Sequence, residues 1–132
     1  MKLSKSEEDY SYRQQAEHVM KVSRARQQGA IPYMPFLCAG WNPRPWNDPR
    51  ACFTLPTKAE WLGELRRMAG DLNASENLGI PLPDGTCQKV FTIYAWNEFG
   101  EGGIVAPTRG DGYMKLECIR EVFGETPASG RK

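Results

Sequence analysis

Helices alternating with short apolar runs predict an α/β fold with a parallel sheet, and three observations carry that prediction. Two stretches, 8–28 and 57–73, repeat apolar residues at three-to-four spacing, as half-buried helices do. Two others, 31–40 and 90–96, are short and nearly continuously apolar, which suits strands covered on both faces. The order is helix, strand, long loop, helix, strand, long loop, helix, and strands that alternate with helices pair in parallel through βαβ crossovers.

In the first helix Tyr12, Ala16, Val19, Met20 and Ser23 form one stripe, and Gly29 follows as a C′ glycine. His18 lies off the stripe and is expected on the solvent side. Within 31–40, Pro32 and Pro35 lack the amide that a ladder needs, which weakens this strand relative to the other. A loop with Trp41, Arg44 and Trp46, punctuated by Pro43 and Pro45, comes next. Thr57 and Glu60 have the spacing of a capping box, and Trp61, Leu65, Met68 and Leu72 form the buried stripe of the helix they open. The segment 79–85 reads as a linker. Residues 90–96, rich in β-branched and aromatic side chains, make the clearest strand. Asp111 is expected to cap a last helix over 113–123, stopped by Gly124. The whole chain, 1–132, reads as a single domain with polar, frayed ends at 1–8 and 125–132.

The net charge of +1 argues against a nucleic-acid partner, which requires a basic face. No apolar run approaches the roughly 20 residues that span a bilayer, so no membrane partner is expected. The first residues carry no apolar core of a secretory signal. A chain that begins naturally here is expected in the cytoplasm; for a fragment the compartment stays open. Cys38, Cys52, Cys87 and Cys118 lack close pairing and His18 is the only histidine, so neither a metal nor any other cofactor is expected. The four cysteines read as reduced, mostly buried thiols.

Ligands gather at the C-terminal ends of parallel strands, and both long, Gly-rich aromatic loops follow strands. Glu98 and Glu101 leave the second strand among Gly100, Gly102 and Gly103, where the backbone turns sharply and approaches a ligand closely. Two carboxylates in one pocket suit glycosidic-bond cleavage, one protonating the leaving oxygen and the other acting as base or nucleophile. The plain alternative is two solvated loop glutamates. Trp41, Trp46 and Trp96 offer flat apolar faces for sugar rings, and Arg44 offers donors to hydroxyl or carboxylate oxygens. Trp41 or Trp46 taken singly is more simply explained by packing under the loop; the two together, with Trp96 at the next strand end, favour a sugar platform. Tyr94 and Asn97 are placed to orient a carboxylate or a hydroxyl, and Arg109, Asp111 and Tyr113 are weaker candidates.

The run from Ala95 to Gly102, followed by Ala106-Pro107, resembles the W-N-E-x-x-E-G…E-P signature of glycoside hydrolase family 99-type endo-α-mannosidases and mannanases. It is similar also to their bacterial glycosyltransferase-annotated relatives and to the α-1,3-glucanases of family 71, which carry an aspartate at the position of Glu98. The run from Gly40 to Trp46 looks like the G-W-D-x-R-P-W segment of the glycosyltransferase-annotated relatives, with Asn42 in place of the acid. The likeness covers residues 10–124 and is dense at these two places.

The resemblance implies a (β/α)8 TIM-type barrel, of which this chain holds the C-terminal portion, about two β/α units. A closed barrel takes about 250 residues, so the remainder is expected to lie elsewhere and the isolated piece to be inactive. Glu98 is implied as the base that withdraws the 2-hydroxyl proton, and Glu101 as the general acid that later activates water. Ala106 stands where the E-P glutamate belongs, which puts the neighbouring subsite in doubt. The expected partner is an oligosaccharide or polysaccharide of α-linked mannose or glucose. A glycosyltransferase or sugar-binding relative, and a truncated non-catalytic remnant, are the alternatives.

Overall fold

The computed structural model describes residues 10–124. The chain folds into an α/β arrangement whose central element is a two-stranded parallel sheet flanked by three helices. Helix α1, Tyr12–Gln27, opens on a capping box in which Ser11 Oγ accepts from the Gln14 amide and Gln14 returns to the Ser11 amide. The expected start at residue 8 lies outside the described residues. The end is one residue early, with Gln28 as the cap, and Gly29 is not in the left-handed region. Tyr12, Ala16, Val19 and Ser23 are buried as the stripe predicts, and His18 is exposed.

Strand β1 is confined to Phe36–Cys38, much shorter than the apolar run that contains it. Pro32 and Pro35 have no amides to donate, and before Phe36 the run makes an isolated bridge from Tyr33 to Leu78 instead of a continued ladder. Helix α2, Lys58–Ala74, begins at the Thr57–Glu60 capping box and buries Trp61, Leu65, Met68 and Leu72. Residues 79–85, expected as a linker, contribute instead to a small hairpin of β2, Ile80–Pro81, and β3, Cys87–Gln88.

Strand β4, Thr92–Tyr94, pairs with β1 in parallel, with Phe36 opposite Thr92, Leu37 opposite Ile93 and Cys38 opposite Tyr94. Its predicted continuation to residue 96 fails because the chain turns aside: the carbonyls of Ala95 and Trp96 accept from Val105 and Ala106. The segment that follows is not an open loop but a hairpin of β5, Asn97–Glu98, and β6, Gly103–Ile104. Helix α3, Met114–Phe123, then packs along α2. Asp111 does not cap it with its side chain. Tyr113 occupies the cap position, and the Asp111 main-chain carbonyl accepts the Met114 amide.

The core joins α1, α2, β1 and α3 through Tyr12, Leu37, Trp61, Leu65, Met68 and Cys118. Trp61 is fully buried, and its indole N–H donates to the Lys115 carbonyl at 3.2 Å, so the polar atom of the largest core side chain is satisfied. Cys52 and Cys118 are buried, Cys38 and Cys87 half-buried, and none of the four forms a disulfide among the described residues. No described helix is long and apolar enough to cross a membrane.

Candidate functional site

Parallel pairing sends the chain out of β1 and β4 at the same end of the sheet, and there the two following segments meet. The Ala39 amide donates to the Tyr94 carbonyl at 2.6 Å, carrying the ladder one step past β1. The Asn42 amide then donates to the Glu101 carbonyl, also at 2.6 Å. This approach is possible only with glycine on both sides. Gly40 has φ +146°, and a Cβ there would lie 2.5 Å from the Gly102 carbonyl oxygen; Gly102 itself has φ +75°.

Glu101 stands where the segments converge. It is half-buried, and its Oε2 accepts a hydrogen bond from Tyr94 Oη. Its Oε1 lies 3.7 Å from Arg50 Nη2. Arg50 is in turn bonded to both oxygens of Asp48 at 2.7–3.0 Å, and its guanidinium lies over the Trp41 ring, 4.6 Å from the centroid. Trp41 is fixed by donation from its indole N–H to the Ala51 carbonyl at 3.0 Å, and it packs tilted against Tyr94 at 6.1 Å. Burial first, then the hydrogen bond to Glu101 and the charges of Glu101 and Glu98, push the Tyr94 hydroxyl above the ordinary phenol range. Tyr94 therefore remains a proton donor toward Glu101 through neutral pH.

Of the residues singled out from sequence, Glu101, Tyr94 and Trp41 come together. Trp41 is no open platform, because Arg50 covers one face of its ring. Trp46 is the exposed indole: it ends the short 3-10 turn Arg44–Trp46 and lies against Gly100, where any Cβ would strike its ring nitrogen. Asn97 and Glu98 are exposed on β5, and Trp96 and Phe99 flank them, also exposed. Arg44 is half-buried, with its amide donating to Asn42 Oδ1 at 3.3 Å. Asn42 thus makes a side-chain turn of its own loop. Arg109, Asp111 and Tyr113 are exposed on the segment leading into α3.

Three residues that organise the site went unremarked in the sequence: Asp48, Arg50 and Lys115. Lys115 is buried, and its ammonium donates to the Ala39 carbonyl at 2.8 Å and the Ile104 carbonyl at 2.6 Å, so one side chain ties together the roots of both segments. Burial lowers its pKa from the ordinary lysine value. A signal for it existed, because Lys115 shares a helical face with Cys118 and Val122 and so interrupts an apolar stripe. Asp48 and Arg50 carried none, since a charged pair two residues apart in a loop is ordinary.

No protein-family model, curated protein or solved structure matches the chain.

Proposed function

We propose that the chain supplies two consecutive β/α units of a (β/α)8 barrel. On their C-terminal rim it carries a two-carboxylate site for α-linked mannose or glucose polymers. The observation that supports this reading best is the convergence on Glu101 of two segments that follow parallel strands. Tyr94 meets it from the end of β4 itself, and the segment after β1 brings Arg50 and Trp41. Ligand sites in parallel α/β folds are built in this way, from loops at the C-terminal strand ends.

In the proposed chemistry Glu98, exposed on β5, takes the proton of a sugar 2-hydroxyl, and that oxygen attacks the anomeric carbon. Glu101 gives a proton to the departing glycosidic oxygen and then takes one from the incoming water. That water attacks the anomeric carbon and breaks its bond to the 2-oxygen, while Glu98 returns the proton to that oxygen. The product keeps the configuration of the substrate without a covalent bond to the enzyme. Trp46, exposed beside Gly100, presents the indole face on which a sugar ring packs.

The test titrates the protein with α-linked manno- and gluco-oligosaccharides while following the Trp46 indole signal by NMR. The same mixtures are then assayed for released reducing ends. We expect the Trp46 signal to move and Trp46→Ala to weaken binding about tenfold, the equivalent of roughly 1.4 kcal/mol. In a protein that completes the barrel, Glu101→Gln should slow hydrolysis by about 10²–10⁴. Glu98→Gln should slow it regardless of leaving group. Binding without hydrolysis in the protein that completes the barrel would make this a sugar-binding relative. No Trp46 response to any of these sugars, together with unaltered rates in both Gln variants, would end the carbohydrate reading.

A further inference from the structure

Glu101 is a half-buried carboxylate at the meeting point of the two loops, and its two oxygens are held from different elements. Tyr94, on β4, reaches Oε2; Arg50, from the loop after β1, faces Oε1. An exposed arginine alone would sample many rotamers and hold nothing. Arg50 is restrained on two further sides. Asp48 grips it with both carboxylate oxygens, a planar fork-to-fork arrangement that fixes orientation as well as distance. The Trp41 ring lies beneath it, and Trp41 is itself pinned by Ala51 and packed on Tyr94. Asp48, Arg50, Glu101 and Tyr94 therefore form a continuous row of polar contacts, with the Trp41 ring against both Arg50 and Tyr94.

We infer that Arg50 is a positioning residue for Glu101, setting the rotamer in which the carboxylate meets its reaction partner, and that Asp48 and Trp41 serve to hold Arg50. The role rests on the reading of Glu101 as the working carboxylate, but the arrangement itself is testable without any sugar. The same geometry assigns Trp41 away from sugar stacking, because the guanidinium lies on its ring. A planar guanidinium is required: an ammonium cannot grip Asp48 with two parallel N–H bonds while facing Glu101.

The experiment reads the Glu101 side chain in the intact chain by NMR, through the separation of its two γ-proton signals and its contacts to Tyr94. The wild type should show separated γ signals and cross-peaks to the Tyr94 ring. Arg50→Gln should merge the γ signals and weaken the cross-peaks about threefold or more, with the core signals of Trp61 and Leu65 in place. Arg50→Lys should restore the pattern only in part, and Asp48→Asn should loosen it while leaving Arg50 present. If Arg50→Gln folds poorly, Asp48→Asn and Arg50→Lys carry the same test. Glu101 signals identical to wild type in all three variants would overturn the inference, as would complete rescue by Lys. Failure of the oligosaccharide titrations strikes the carbohydrate reading alone, since the rotamer of Glu101 is measured directly.

Discussion

Lys115→Met tests most directly how the two segments of the site are held together. Methionine keeps the length and apolar packing of the stem and removes the two donors that serve the Ala39 and Ile104 carbonyls. Each carbonyl left without a donor costs about 1–3 kcal/mol, and part of that is offset because the variant no longer buries a charge. We expect a net loss of about 2–3 kcal/mol, or roughly 10 °C in Tm for a domain of this size, measured by urea and thermal unfolding. The loss should be uneven. Amide exchange at Asn42, Val105 and Ala106 should quicken more than at Leu65 in the middle of α2, because the first three lie on the segments that Lys115 ties.

The pH dependence has a definite sign. Burial depresses the Lys115 pKa in the folded state, with Asp111 and Cys38 acting in the opposite sense. A base whose folded pKa lies below its unfolded value makes the protein more stable as pH rises through the interval between the two. The neutral amine still has two N–H groups, enough for both carbonyls. The stability gap between wild type and Lys115→Met should therefore widen as pH rises toward about pH 10, where the unfolded lysine loses its proton. Tyrosine titrations occur in both proteins and cancel in the difference. A variant as stable as the wild type, or one whose amide exchange quickens uniformly, would refute the bridging role.

Two other substitutions probe the site and its frame. Glu101→Gln removes the charge and leaves only a weaker amide acceptor for the Tyr94 proton, so tyrosinate absorbance, taken as a difference against Tyr94→Phe, should begin at lower pH than in the wild type. Because the folded Tyr94 pKa is raised, its stabilising contribution is full below about pH 10 and fades as pH climbs beyond; an unshifted titration would mean the two groups do not meet in solution. Gly40→Ala should destabilise by about 1–3 kcal/mol, since the backbone is strained for any side chain and the methyl meets the Gly102 carbonyl. Gly63→Ala, on helix α2 with open space around it, should instead stabilise by about 0.5–1 kcal/mol, and melts of the two variants moving in the same direction would contradict this account.

The parts of this fold that were legible in the sequence are those fixed by local chemistry. The Thr57–Glu60 and Ser11–Gln14 caps are set within four residues, and the α2 stripe follows helical period alone, so the first of these caps and the stripe could be read directly. The pairing of β1 with β4 followed from the alternation of elements. What failed was decided by competition at element ends. β4 ends early because Ala95 and Trp96 bond to Val105 and Ala106, and the same bonding turns an expected loop into the β5–β6 hairpin. Asp111 looked like a cap by residue type, yet its main chain took that place.

The site divides the same way, and the division says where its function is vulnerable. Glu101 and Tyr94 are seven residues apart on one strand and its turn, so sequence could bring them together. Arg50 reaches Glu101 only because the β1 loop folds across, and Lys115 reaches Ala39 from 76 positions away. Arg44 was the arginine chosen from sequence because it sits between the tryptophans; Arg50 is the one against Glu101, because the left-handed Asn47 (φ 58°) ends the 3-10 turn and redirects the chain toward Asp48. Whatever the site binds, its carboxylate is held by residues from separate segments. Loosening the β1 loop at Asn47 or Gly40 should therefore disturb the Glu101 side chain more than that of Glu98, which is exposed on β5, and the two sets of γ-proton signals would report the difference.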